Sequence, residues 1–239
     1  MRINRLLLSF LLWLTVFPCF PQKNLPSDEL LSRKWNQLEE AVRQMVNGNI
    51  QGAKSTLNSL WEKDRNTAIT DSMLVADIWF QLGNVALFEF DYEEARICYQ
   101  HALDYAKTNR QRVRIHQNMG CLYYLTSSYE NATIHFQYAI ELLREGPETD
   151  PSRMNQLCLN AGFASLELNL PGKALSWFEA MGAKSGQLPD HQEAIRLTGL
   201  GNAYLLQAKE EAALSCYRRA KKYLDTITGF KPEKIWILR

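Results

Sequence analysis

Four histidines (His101, His116, His135 and His191) and five cysteines (Cys19, Cys98, Cys121, Cys158 and Cys216) are the side chains best suited to ligate a metal or attack an electrophile. Either chemistry needs them in compact sets, such as C-x-x-C for a redox or zinc site or H-E-x-x-H on one helix face. Neither pattern occurs, nor does G-x-S-x-G or a Walker-type loop. "GLGN" at 199–202 contains a lone G-x-G, but no strand-like segment precedes it, as a dinucleotide-binding turn requires. The chain therefore reads as non-enzymatic, with no catalytic residue, no metal site and no cofactor.

Whatever these residues do, helices position them. No strand-like alternation stands out, and small and aromatic residues recur at fixed distances. Gly83 is followed at the twelfth, sixteenth and nineteenth places by Ala95, Tyr99 and Ala102. Gly120 is followed at the same places by Ala132, Phe136 and Ala139, and Gly201 by Ala213, Tyr217 and Ala220. Gly162 is followed by Ala174, Phe178 and Met181, which departs in the last place. A weaker copy puts Ala41 for the glycine, then Ala53, Leu57 and Leu60, with Gly48 at the turn. Five units of roughly 40 residues indicate stacked helix pairs. Small residues at two of these places let paired helices approach closely, and the aromatic is expected to fill the space between neighbouring pairs. Helix starts are expected at Ser27, Asp71 and Asp150 with Pro151 behind it, and a capping box at Asp190 and Glu193.

These motifs resemble the tetratricopeptide repeat, a helix-turn-helix of 34 residues. Trp79, Leu82, Gly83, Ala95, Tyr99 and Ala102 occupy its signature places, as do Leu200, Gly201, Tyr204, Ala213, Tyr217 and Ala220. The resemblance covers roughly residues 34 to 223. It implies an all-α, right-handed superhelical solenoid of about five such units, with a concave groove lined by the first helices. In the family's groove positions stand Asp77, Phe80, Gln81, Asn84 and Leu87, then Arg114, Gln117, Asn118, Cys121 and Tyr124. The fourth unit supplies Gln156, Leu159, Asn160, Phe163 and Leu166, and the fifth Ile195, Thr198, Gly199, Asn202 and Leu205. The groove expected to bind peptide is therefore Phe80, Asn84, Arg114, Asn118, Tyr124, Asn160, Phe163 and Asn202, an amide row with aromatic pockets. Amides tolerated on a wet surface are the alternative. On the groove reading, replacing Asn118 and Asn160 by Ala weakens binding and leaves melting unchanged. Members that grip chaperone C-termini use Lys and Arg beside two Asn; Asn84 and Asn118 match the amides, but Phe80, Gln156 and Asn160 stand where the cations belong. A terminal carboxylate is thus disfavoured as ligand.

By the same alignment His116 and Cys158 stand where the first helix carries its aromatic, which makes His116 a core histidine. Cys98 and Cys216 precede the second-helix aromatic. Equivalent places in separate units lie beyond disulfide reach, so these cysteines read as packing residues, with Cys121 a free thiol on the groove face. Arg218, Arg219, Lys221 and Lys222 read as a solvated face at a helix end. Asn131-Ala132-Thr133 is a sequon, of consequence only in a cell that glycosylates.

The 27 basic and 26 acidic residues nearly cancel, which gives no reason to expect nucleic acid as partner. The first segment stands apart. Arg2 and Arg5 lead into an apolar run from Leu6 to Phe17, broken at Pro18 and Pro21. Residues 1–22 read as a signal peptide, or a short N-terminal membrane anchor that would be the chain's only membrane contact. The expected location is exported, periplasmic or secreted. Residues 27–228 form the repeat domain. Residues 229–239, with Pro232 and Trp236, are a C-terminal stub or the start of a sixth unit, through which the chain could self-associate. The expected function is a binding scaffold for a protein or extended peptide. The alternative is the sensory or regulatory repeat module of a longer signalling protein, resembling sensor kinases or CHAT proteases.

Overall fold

The computed structural model describes residues 29–65, 71–146, 150–181 and 188–226. The expected leader at 1–22, its Cys19, the Ser27 cap and the terminal 229–239 segment lie outside the described residues. Among those described there are ten α-helices and no strand. They are α1 (Glu29–Val46), α2 (Ile50–Arg65), α3 (Ser72–Phe88), α4 (Tyr92–Tyr105), α5 (Asn109–Leu125), α6 (Tyr129–Glu145), α7 (Pro151–Glu167), α8 (Pro171–Ala180), α9 (Asp190–Leu206) and α10 (Glu210–Thr226). None of them is long and apolar enough to cross a membrane.

A short turn joins the first and second helix of each of the five repeats, and the turn of each is built alike. The residue seven places after the aligned glycine (Ala41 in the first hairpin) is left-handed each time: Gly48 at φ 80°, Phe90 at 62°, Ser127 at 60°, Asn169 at 54° and Ala208 at 57°. Its N–H donates to the carbonyl three residues back, at 2.9 to 3.2 Å, and the next N–H to the carbonyl five back, at 2.8 to 2.9 Å. This paired closure satisfies carbonyls that the helix end would otherwise leave unbonded. The carbonyl of the following residue (Asn49, Asp91, Ser128, Leu170 or Lys209) then accepts from the N–H of the recurring alanine, at 3.0 to 3.1 Å. The alanine at the twelfth place thus closes the first turn of the second helix while its methyl packs inside the pair. Only one of the five left-handed residues is glycine, so the other four bear the steric cost of a Cβ.

The chain condenses into two compact units, divided between Leu122 and Tyr123 within α5. In the unit ending at Leu122, α1 to α4 enclose a core of Leu38, Val42, Met45, Leu57, Leu60, Leu74, Ile78, Leu82 and Val85, flanked by Trp35, Trp61 and Trp79. A Cβ on Gly83 would lie 2.6 Å from the Tyr99 ring, so the glycine is a packing requirement. Lys54 Nζ and Gln51 Nε2 of α2 donate to Glu89 at 2.6 and 2.8 Å and tie the first hairpin to the end of α3. Asp71 caps α3 through Met73 N at 2.9 Å, as expected.

In the unit from Tyr123 onward, Phe178 of α8 is wedged between two helices. A Cβ on Gly162 of α7 would meet its ring at 2.5 Å, and one on Gly199 of α9 at 2.4 Å. Gly201 stands 2.4 Å, by the same measure, from Tyr217. Both glycines of "GLGN" are therefore accounted for by aromatic rings on either side of α9. Helix α8 ends at Ala180, with Arg196 Nη1 donating to the Phe178 carbonyl at 3.5 Å. Met181 thus lies at the cap, where the interhelical approach that demands Ala102, Ala139 and Ala220 no longer applies.

Asp150 caps α7 through Arg153 N at 2.9 Å, as read from the sequence. The capping box expected at Asp190 and Glu193 does not form: Pro189 holds the cap position, and Glu193 binds Arg196 instead. A box forms at Thr108 and Gln111, where Thr108 Oγ1 accepts from Gln111 N at 3.2 Å and Gln111 Oε1 from Thr108 N at 3.4 Å.

Phe90 is 75% exposed and left-handed, so its ring contributes little packing against its backbone cost. Phe90→Gly is expected to raise stability by about 1 kcal/mol in urea unfolding; a loss would mean that the ring packs more than its exposure indicates. Gly199→Ala is expected to cost about 1–3 kcal/mol by crowding a ring already held from the other side, and less when combined with Phe178→Leu.

Candidate functional site

The first helix of a hairpin presents one face at the sixth, third and second places before its glycine and the first and fourth after it. In the unit ending at Leu122 this face consists of Asp77, Phe80, Gln81, Asn84 and Leu87 on α3 and Arg114, Gln117, Asn118 and Cys121 on α5. All nine are buried. Asn84 is fully buried and central. Its Oδ1 accepts from the Tyr99 hydroxyl at 2.8 Å and from Asn118 Nδ2 at 2.7 Å, while its Nδ2 donates to Gln81 Oε1 at 2.9 Å. A buried amide with three bonds is a structural hub, since each unmet polar group would carry its full desolvation cost.

Arg114 Nη1 lies 3.3 Å from Asp77 Oδ1, with both side chains about nine-tenths buried. Its guanidinium also sits 4.4 Å from the Phe80 ring centroid. Burial pushes the Asp77 carboxyl above the usual carboxylate range, and Arg114 opposes that shift. The only charges on this face are therefore engaged with each other, and the four residues expected to bind peptide here (Phe80, Asn84, Arg114 and Asn118) all bond or stack internally.

The four asparagines of the expected row occupy two different places. Asn84 and Asn202 follow the glycine, whereas Asn118 and Asn160 precede it by two. Those that follow it each meet a tyrosine of the second helix: Tyr99 donates to Asn84, and Tyr217 to Asn202 Oδ1 at 2.7 Å. Where the second-helix aromatic is Phe136 or Phe178, the place after the glycine holds Cys121 or Phe163 instead. Phe163 meets Phe178 edge-on at 5.3 Å. This exchange of Tyr-with-Asn for Phe-without-amide was present in the sequence as a pairing signal.

The unit from Tyr123 onward differs. On α7, Gln156 Nε2 donates to Asn160 Oδ1 at 3.1 Å, and Asn160, Leu159 and Phe163 are buried. On α9, Thr198 bonds the Ala194 carbonyl at 2.9 Å and Gly199 lies under Phe178. Tyr124, Gln156, Leu166, Ile195 and Asn202 are half-buried, and Leu205 is 54% exposed. Helices α7 and α9 pack side by side, so Gln156 and Leu166 lie on a helix adjoining that of Ile195, Asn202 and Leu205. Tyr124 also meets Tyr129 at 5.3 Å. Burial raises the carboxyl of Glu167. Sequence reasoning missed Glu167 because the family's groove positions stop one residue short of it.

Cys98, Cys121, Cys158 and Cys216 are all buried, and none of them forms a disulfide. Burial pushes Cys98 up to about 12 and Cys158 up to about 11, so neither is a thiolate at neutral pH. His116 is half-buried, and burial lowers its pKa, which favours the neutral ring. Among the described residues no group of three or more His, Cys, Asp or Glu side chains is placed to hold a metal ion.

Residues 76–109 match the family model of the tetratricopeptide repeat. Comparison with curated proteins gives no match in sequence. Among solved structures, BtubC (BKLC) from P. vanneervenii is similar at a TM-score of 0.68 and 17% identity, over 84% of this chain and 92% of that one. A putative kinesin light chain of Podosopora anserina with nearly identical TPR-like repeats is similar at a TM-score of 0.67 and 14% identity, over 80% and 94%. YrrB, a TPR protein described as having an unusual peptide-binding site, is similar at a TM-score of 0.56 and 19% identity, over 80% and 86%. The fold is thus an all-α solenoid of tetratricopeptide-like hairpins.

Asn84→Ala is expected to lose about 1–3 kcal/mol by leaving buried partners unpaired, and to lose more than Tyr99→Phe in the same urea titration. Equal losses would show that the tyrosine hydroxyl is the only bond of consequence. For the double replacement Asn118→Ala with Asn160→Ala, expected to leave melting unchanged, a loss is now expected, because Asn118 donates into this hub.

Proposed function

We propose that this chain is a non-enzymatic binding protein that takes an extended peptide, or an extended segment of a partner protein, on the first-helix face of α7 and α9. The observation that carries the proposal is the contrast between faces. Polar groups on the face of α3 and α5 up to Leu122 are buried and bonded to each other. The α7–α9 face keeps Gln156, Leu166, Ile195, Asn202 and Leu205 partly open. Apolar side chains interleaved with amides suit a peptide, whose backbone needs both a donor and an acceptor and whose side chains need pockets. The likeness in fold to YrrB, described as having a peptide-binding site, supports the same reading. Of the groove residues expected from sequence, Asn202 stands half-open on this face, and Asn160 and Phe163 are buried in it. The basic, apolar and proline-broken segment at residues 1–22 supports export, so the partner belongs outside the cytoplasm.

The test is selection of random dodecapeptides displayed on phage against the full 239-residue chain, followed by titration of the best peptide. Leu166→Asp with Leu205→Asp is expected to weaken that peptide by about tenfold or more, equivalent to about 1.4 kcal/mol. Melting should change little, because both side chains are partly solvated. Unchanged affinity at unchanged stability would move the site off this face.

A further inference from the structure

Resting on that reading, we infer that the bound segment presents a primary carboxamide, the side chain of an Asn or Gln, to Asn202. The inner tyrosine–asparagine pair supplies the template. Asn84 Oδ1 takes two donors, the Tyr99 hydroxyl at 2.8 Å and Asn118 Nδ2 at 2.7 Å, and Asn84 Nδ2 gives to Gln81 Oε1 at 2.9 Å. Two side-chain amides thus complete what the tyrosine begins. Gln81 comes from the same helix, three residues earlier, and Asn118 from the first helix that follows.

Asn202 has the tyrosine and neither amide. The Tyr217 hydroxyl donates to its Oδ1 at 2.7 Å. Three residues before it, where α3 has Gln81, α9 has Gly199. A longer side chain is barred there, because even a Cβ would stand 2.4 Å from the Phe178 ring. Among the described residues no first helix follows α10 to supply the counterpart of Asn118. Residues 227–239 contain neither Asn nor Gln. Tyr217 is accordingly half-buried where Tyr99 is fully buried. Among the described residues, then, Asn202 keeps an acceptor lone pair and two N–H donors in hand, with Tyr217 already fixing its orientation.

The surrounding surface decides how a ligand reaches it. Leu205 and Leu206, one turn further along α9, are 54% and 49% exposed, whereas Asn202 is half-buried. A main chain resting on these leucines is held off Asn202, and a side chain spans the gap. A carboxamide returns both an N–H and a C=O, as Asn118 and Gln81 do together at Asn84. A segment that brings an apolar group instead covers an unpaired amide, the penalty by which hydrogen-bonding sites reject the wrong partner.

The test repeats the dodecapeptide selection on the full 239-residue chain as wild type and as Asn202→Ala. Wild type is expected to enrich Asn or Gln at one peptide position, and Asn202→Ala to lose that preference while still enriching apolar residues. Replacing that peptide residue by a near-isostere, Leu for Asn or Met for Gln, should weaken binding to wild type by about tenfold and leave binding to Asn202→Ala unchanged. Asn202→Ala should also melt closer to wild type than Asn84→Ala does, since water reaches the half-buried Tyr217 that it unpairs; a larger loss would make Asn202 a residue kept for stability. Peptides enriched without Asn or Gln, or a preference that survives in Asn202→Ala, would overturn the carboxamide and leave the peptide face standing. So would an affinity that ignores the side chain and is lost on N-methylating the adjacent peptide bond, because Asn202 would then read main chain. No enrichment on either protein would overturn both.

Discussion

The close approach of an aromatic ring to a glycine backbone is the contact on which the second, fourth and fifth hairpins depend. Tyr99 on Gly83, Phe178 on Gly162 and Tyr217 on Gly201 bring ring carbons to where a Cβ would stand, at 2.4 to 2.6 Å. That distance allows no other residue without displacement, so it fixes the register of the second helix along the first. Once register is fixed, the alanines at the twelfth and nineteenth places must face the same interface, and they are almost fully buried. Each turn then has one geometry that spans the gap, a left-handed residue with paired backbone closures. The turn accepts Phe, Ser, Asn and Ala at a position that favours Gly, which shows the packing contact prevailing over local backbone preference.

The second-helix aromatic also decides the chemistry of the neighbouring first-helix face. A tyrosine carries its hydroxyl into the core and needs an acceptor, and Asn84 or Asn202 provides it. A phenylalanine needs none, and a thiol or second ring takes the place instead. In the unit ending at Leu122 the tyrosine choice recruits Asn118 and Gln81 as well, and a network of this kind is worth having only when every member is bonded. Asn202 has the same tyrosine bond while remaining half-open, so an equivalent pair stands beside a surface that solvent reaches.

Much of this was readable from residue spacing, and some was not. The repeat phase followed from steric demand: small residues and rings at fixed places have few explanations other than paired helices. The caps at Asp71 and Asp150 followed from side chains that bond backbone N–H groups locally. The box at Thr108 and Gln111 has the same signature and was overshadowed by Asp190, which stands one residue inside its helix, behind Pro189. The direction of the asparagines was not readable from helix face alone, because a face shared with a groove is also shared with the neighbouring helix. Left-handed Phe90 and Ala208 carried no local signal, since tertiary packing imposes their conformation.

Asp77 shows what burying an acid on a first-helix face requires. Withdrawing a carboxylate from water costs several kcal/mol unless a cation and hydrogen bonds replace the lost hydration, on the order found for buried ions generally. Asp77 meets that requirement within the fold, through Arg114, whose own charge is further met by the Phe80 ring. A charge pair closed in this way leaves the face of α3 and α5 up to Leu122 nothing ionic to offer a ligand, so recognition falls to faces whose polar groups stay partly open.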